Sequence, residues 1–128
     1  MGRDAFVDAS EPIRVDLLDG DWIDCKPELT YGEQQRIATS GLQRIEGMTG
    51  VGVDWTAFNE AKIAGWVVDW SFLDKDKKRV RISRDSIASL KPDIAAEILT
   101  AIDGHIEAMA DRKKTTTPEK PVLIRKSS

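Results

Sequence analysis

From Pro92 to Lys113 the chain reads "PDIAAEILTAIDGHIEAMADRK", its longest stretch of unbroken helical periodicity. At 100° per residue, Ile94, Ile98, Ile102, His105 and Met109 fall near one line, with Leu99 and Ile106 at its edge. Asp93, Glu97, Asp103 and Glu107 fall on the other side. The apolar sector spans roughly 180°, wider than a single helix contact needs. Such a helix has to be covered over most of its length, so the rest of the chain must supply the cover. The outer edge, Leu99 and Ile106, either reaches deeper into that cover or meets a partner. Pro92 stands at the first helical position, where a missing N–H costs nothing.

The remaining segments are short. "IRVDLLDGDWIDC" alternates Ile13, Val15 and Leu17 with Arg14 and Asp16, the period of a half-buried strand. Asp19-Gly20 is a two-residue hairpin signal, because a type I′ turn needs positive φ at both positions. That turn sets Leu17 opposite Trp22, which makes Trp22 a cross-strand packing residue. Thr30 and Glu33 form a capping box for a helix expected to reach about Ile45, with Ile37, Gly41, Leu42 and Ile45 on its inner side. "EGMTGVG" then reads as a flexible connection. Asp54 caps a second helix that starts at Trp55. Around its axis Trp66 lies about 20° and Trp70 about 60° from Trp55, so the three indoles are expected to form one buried stripe beside Phe58 and Ile63. The end of that segment, "VVDWSF", also fits a short strand. "LDKDKKRVRIS" reads as a charged turn followed by a strand through Val80 and Ile82. Ser83 caps a short helix over "RDSIASL".

These segments predict an α+β fold in which a small N-terminal β-hairpin packs with a mainly helical bundle of about four helices. With 128 residues, 41% of them hydrophobic and 32% charged, the chain suffices for one domain with a continuous core. The expected organisation is a loose N-terminus at 1–12, one domain over 13–112 and a loose tail over 113–128. The tail holds an apolar island, Val122-Leu123-Ile124, either a remnant or a docking segment.

Charge and composition narrow the function. Residues 1–64 carry 6 Lys and Arg against 12 Asp and Glu, or −6; residues 65–128 carry 13 against 10, or +3. The basic run Lys75–Arg84 has no aromatic or glycine-rich accompaniment, which weighs against nucleic-acid binding. No apolar run reaches the length of a membrane span, and the first residues lack the apolar stretch of a signal peptide. One cysteine, Cys25, cannot make an internal disulfide and fits a reducing compartment. Cys25 and the single histidine, His105, are the one nucleophile–base pairing available, yet neither sits where a side chain is activated. A lone Cys and His do not make a zinc site. Asp19, Asp21 and Asp24 resemble the start of a calcium loop, but Trp22 and Ile23 occupy its interior and no Glu closes it. No catalytic, cofactor-binding or metal-binding residue is assigned.

The order of elements carries a resemblance. An N-terminal hairpin is followed by a helix opening "LTYGEQQR", then by a Trp-rich helix closing "VVDWSF". A short basic strand and "ISRDSIASLKPDIAAEILTAIDGHIEAM" complete the order. Over about Ile13 to Lys114 this resembles the small tail assembly chaperones of long-tailed bacteriophages. The resemblance implies a non-enzymatic role in the host cytoplasm: binding the tape measure protein during tail assembly, with no cofactor. It also implies a short form and a frameshifted longer form diverging near "DRKKTTTPEK". The family offers no residue-level motif to carry over. The partner surface is therefore placed by the helix pattern and the tail, at Leu99, Ile106, Val122, Leu123 and Ile124. The rival expectation is a virion structural protein: a connector, tail-completion or capsid-binding subunit. A nucleic-acid-binding regulator is the third.

Overall fold

The computed structural model describes residues 5–7, 11–44 and 51–116. Expectations placed on other residues, Val122, Leu123 and Ile124 among them, lie outside this set.

Two antiparallel strands begin the fold: β1, Ile13–Asp16, and β2, Trp22–Cys25. Asp19 and Gly20 between them have φ of 58° and 80°. The Asp-Gly pair thus takes the left-handed geometry that its residue types favour. The register differs from expectation by one residue. Asp16, not Leu17, stands opposite Trp22, and the Leu17 amide donates to the Asp21 carbonyl at 2.8 Å. Because side chains alternate, one residue of slip exchanges faces. Ile23 and Cys25 point into the core and are fully buried. Trp22 instead lies on the outer face, with the Arg14 guanidinium 3.5 Å from its ring centroid. There the Arg14 fork bonds both oxygens of Asp24, at 2.8 and 3.1 Å, which raises the Arg14 pKa. Asp24 is thus committed to an ion pair, and Asp21 accepts from the Ser71 hydroxyl.

Helix α1, Tyr31–Ser40, opens with the expected capping box. Glu33 accepts from the Thr30 amide, and Thr30 from the Glu33 amide. A hydrogen bond from Lys26, then the Thr30 amide, holds the Glu33 carboxyl below its ordinary pKa. The helix stops at Ser40, short of the expected Ile45. Leu42–Arg44 instead forms a strand, β3, paired antiparallel with β4, Val51–Val53. Strand pairing has overridden helical period here, and Leu42 lies exposed rather than inside. Gly41 is needed at the crossing. A Cβ there would come within 2.9 Å of the Phe58 Cβ and 3.1 Å of the Asp54 carbonyl oxygen.

Asp54 caps α2, Trp55–Trp66, through its side chain and the Ala57 amide. The chain then turns directly into β5, Val67–Trp70, which pairs with β2 to complete a three-stranded antiparallel sheet of order β1-β2-β5. The single stripe of three indoles is therefore incorrect. Trp66 and Trp70 are buried, but Trp70 sits on a strand, and Trp55 is 64% exposed at the start of α2. Two β-branched residues, Val67 and Val68, followed by pairing to β2 end the helix before Trp70 can join it.

Beyond β5, Asp74 accepts from the amides of Asp76 and Lys78, and a single bridge links Leu73 to Arg79. No strand is assigned through Val80 and Ile82, although both are half-buried against the core. Helix α3, Arg84–Ala88, is capped by Ser83. Helix α4 spans Pro92–Thr116 and so runs past Lys113, where the loose tail was expected to start.

The core lies between the inner face of the sheet and the helices. Ile23, Cys25, Val67 and Trp70 from the sheet meet Ile63 and Trp66 of α2, Ile87 of α3, and Ile98 and Ile102 of α4. Each fully buried aliphatic side chain contributes about 1.5–3 kcal/mol. The architecture is α+β: a small N-terminal hairpin, extended by β5, packed with four helices among the described residues.

Candidate partner-binding groove

Helices α1 and α4 both pack on α2. A cleft is left between them, with α2 as its floor. Gly65 brings α1 close, since a Cβ there would lie 2.7 Å from Ile37 Cδ1. On the other wall Lys62 reaches across to Asp103 of α4 as an ion pair. The cleft holds two adjoining cavities that share Leu29, Gln34, Trp66 and Ile106 in their lining. One, of about 300 Å³, is completed by Ile37, Ala38, Phe58 and Lys62. The other, of about 190 Å³, continues along α4 past Met109 and Ala110 toward Pro27 and Glu28. The walls are mostly apolar, and Ile37, Phe58, Ile106 and Met109 are only half-buried. A groove of this kind removes apolar surface from water when filled and leaves its polar groups at the rim.

Of the residues expected to meet a partner, Ile106 lines both cavities. Leu99 does not line the groove; it is half-buried against the core. The groove thus includes one of the two helix positions. Leu29, Ile37, Phe58 and Trp66 were not anticipated as lining. Only Met109, on the apolar line of the last helix, left a signal for its second cavity.

The two residues weighed as a nucleophile–base pair, Cys25 and His105, are both buried. Cys25 is fully buried, and burial, reinforced by Asp24, pushes its thiol up to about 12. His105 is 5% exposed. Its Nε2 lies 2.8 Å from the Lys26 carbonyl oxygen, and its ring meets Trp66 edge-on at 5.6 Å between centroids. A carbonyl only accepts, so this contact places a proton on Nε2. A separate open hollow of about 530 Å³ lies between the hairpin turn and α4. Its Glu97 carboxylate accepts from the Leu18 amide, which ties the turn to the helix. Among the described residues, no group of three or more His, Cys, Asp or Glu is placed to hold a metal ion, and no helix is long and apolar enough to cross a membrane.

The state of Cys25 is directly measurable. In the native protein at pH 8, iodoacetamide is expected to alkylate Cys25 at least ~100-fold more slowly than in urea, since the thiolate is scarce and sealed from reagent. Mass spectrometry of timed samples reads the rate. Equal rates in both conditions would show an open, activated thiol.

The chain matches no family model, no curated protein and no solved structure.

Proposed function

We propose that the protein is a non-enzymatic binding protein that holds an apolar helical segment of a partner in the groove between α1 and α4. The partner we propose is the tape measure protein of a long-tailed bacteriophage, held in the host cytoplasm during tail assembly without ATP, metal or cofactor. The groove is the observation that carries this reading. Its apolar floor and walls, Leu29, Ile37, Phe58, Trp66, Ile106 and Met109, run along α4 in the manner that helix-in-groove binding uses. The partner is proposed from the sequence's resemblance to tail assembly chaperones alone, since "VVDW" forms β5 rather than closing a helix and no strand runs through Val80 and Ile82 among the described residues.

Binding through this surface is driven by apolar burial, so raising salt is expected to weaken it little. Contact through Lys75–Arg84 would instead be salt-sensitive. The test is co-expression with the tape measure protein of the same phage, scoring its solubility and co-purification. The wild-type chain is expected to keep it soluble, and folded Ile106→Asp and Met109→Asp variants are expected to lose it. A tape measure protein that is equally soluble alone, or fully rescued by both variants, rules the surface out.

A specific observation favours one other reading, a structural subunit of the virion. Leu42 and Val53 face each other across the separate β3–β4 pair and are 57% and 47% exposed, beside the exposed Trp55. An exposed apolar strand pair of this kind suits edge-to-edge assembly. Stoichiometric amounts of the protein in purified particles would establish that role and remove the chaperone reading.

A further inference from the structure

We propose that β1 is a pairing edge for a second copy of this chain. Two β1 strands meet antiparallel about a two-fold axis at Val15 and join two three-stranded sheets into one. The surface shares no lining residue with the groove between α1 and α4, so the inference stands apart from the proposed function.

The ladder is open at β1, the outer strand of the order β1-β2-β5. Antiparallel pairs alternate between hydrogen-bonded and non-hydrogen-bonded. The Leu17 amide donates to the Asp21 carbonyl, so in the same register Val15–Ile23 and Ile13–Cys25 are the bonded pairs. Trp22 agrees with this, because its carbonyl accepts from the Ser71 amide on the β5 side, away from Asp16. The N–H and C=O groups of Arg14 and Asp16 therefore point out from the edge, and no described strand pairs with them. Pro12, which has no N–H, bounds the edge on one side, and the turn at Leu18 bounds it on the other.

The flank of this strand is uncovered as well. Ile23 and Cys25 of β2 are fully buried, whereas Ile13, Val15 and Leu17 on the same face of the hairpin are only half-buried. Beside them lies the hollow of about 530 Å³ between the hairpin turn and α4. Its lining opposite α4 is Asp16, Leu17 and Leu18, with no residue from β2 or β5, so it opens on the β1 side. A strand added to β1 borders this hollow and brings inward-facing side chains to it.

The sequence of the edge selects the occupant. Antiparallel pairing of β1 with its own copy, centred on Val15, sets Arg14 opposite Asp16 on both sides of the axis. These are the residues with outward backbone groups, so each pair exchanges both hydrogen bonds while its side chains carry opposite charge. Centring on Arg14 or on Asp16 would set like charges face to face. On the inner face the same register places Val15 against Val15, and Ile13 against Leu17 of the second copy. Asp16 is exposed and forms no ion pair among the described residues. Arg14 gives Nε and Nη2 to Asp24, which leaves Nη1 for Asp16 of the second copy. Charge on an edge keeps most strands off, and here it admits one that carries the complementary pair.

The experiment uses the full chain. Sedimentation equilibrium over roughly 10 μM to 1 mM, the range of a short and largely polar contact, is expected to show monomer passing into dimer. Over that range, exchange of the Arg14 and Asp16 amides is expected to slow several-fold, while that of Val15, bonded to β2, stays constant. Asp16→Arg, a change on the exposed outer face, sets like charges opposite each other. It is expected to weaken dimerisation at least ~10-fold with the circular dichroism spectrum unchanged.

Val15→Cys tests the axis. A residue facing its own copy in a non-hydrogen-bonded pair has its Cα about 4.5 Å from the other, within disulfide reach. Mild oxidation is expected to link Val15→Cys into a dimer. Ile13→Cys, opposite Leu17, is expected to stay unlinked, as is wild type, whose Cys25 is buried. A chain that is monomeric at every concentration overturns the proposal, as does a dimer that Asp16→Arg leaves intact. Oxidation that links Ile13→Cys as fast as Val15→Cys overturns it too. Slow exchange at Arg14 and Asp16 that is independent of concentration would mean that the edge is covered within one chain, and the second copy is then ruled out.

Discussion

Trp70→Ala is expected to leave little or no folded protein, while the same change at Trp55 is expected to move the unfolding midpoint hardly at all. Both residues belong to one Trp-rich stretch, so composition alone does not separate them. Trp70 is 1% exposed on β5, its Nε1 donates to the Val80 carbonyl at 2.8 Å, and its ring meets Phe72 edge-on at 5.3 Å. Truncating such a ring costs about 3–5 kcal/mol through lost transfer energy and the cavity left behind. The Val80 carbonyl loses its donor as well, which adds about 1 kcal/mol or more if water does not reach it. Domains of this size have only about 5–15 kcal/mol in total, so the loss takes a third of it or all of it. Trp55 touches Phe58 at 5.7 Å but gives most of its surface to water, and removing it is expected to cost under about 1 kcal/mol. Urea unfolding followed by far-ultraviolet circular dichroism reads both. A stable Trp70→Ala, or a Trp55→Ala that unfolds, would show that the ring at 55 and not the ring at 70 closes the core.

How the sequence and structure part company at these tryptophans has a physical cause. Local signals were legible wherever a short-range interaction decides the geometry. Asp19-Gly20 takes positive φ, Thr30, Asp54 and Ser83 cap the helices expected of them, and Pro92 opens the last one. The α+β class and the burial of Ile98 and Ile102 follow from the same patterns. What was not legible depends on strands distant in sequence. Pairing of β5 with β2 takes Trp70 out of the helix, and pairing of β3 with β4 cuts α1 short at Ser40. The hairpin turn was right in conformation and wrong by one residue in register, and that slip sets Trp22 opposite Asp16, under the Arg14 guanidinium, instead of opposite Leu17. The groove shows the same division. Ile106 stood at the edge of a helical sector and was visible there. Leu29, Ile37, Phe58 and Trp66 become a surface only because α1 and α4 both rest on α2, which no single helix's periodicity encodes.

The second large effect is expected at His105, the one buried polar side chain among the described core residues. Its ring ties α4 to the end of β2 through the Lys26 carbonyl and packs edge-on against Trp66, which lines the groove. His105→Ala removes the ring and leaves the part-buried Lys26 carbonyl without its donor. The expected cost is roughly 2–4 kcal/mol, the cavity and the unpaired acceptor together. His105→Gln keeps an N–H donor on a side chain of similar reach and is expected to lose only about 1 kcal/mol. Stability alone does not distinguish a structural histidine from a catalytic one, so the decisive reading is function in the folded variant. If the groove acts by shape and apolar burial, His105→Gln is expected to capture the tape measure protein as wild type does, and Cys25→Ser likewise. Chemical denaturation gives the ranking Ala below Gln below wild type, and co-purification gives the functional comparison. A Gln variant that folds with near-native stability yet fails to hold its partner would mean that the imidazole does something a hydrogen-bond donor cannot. The binding-only account would then give way to one in which His105 carries chemistry.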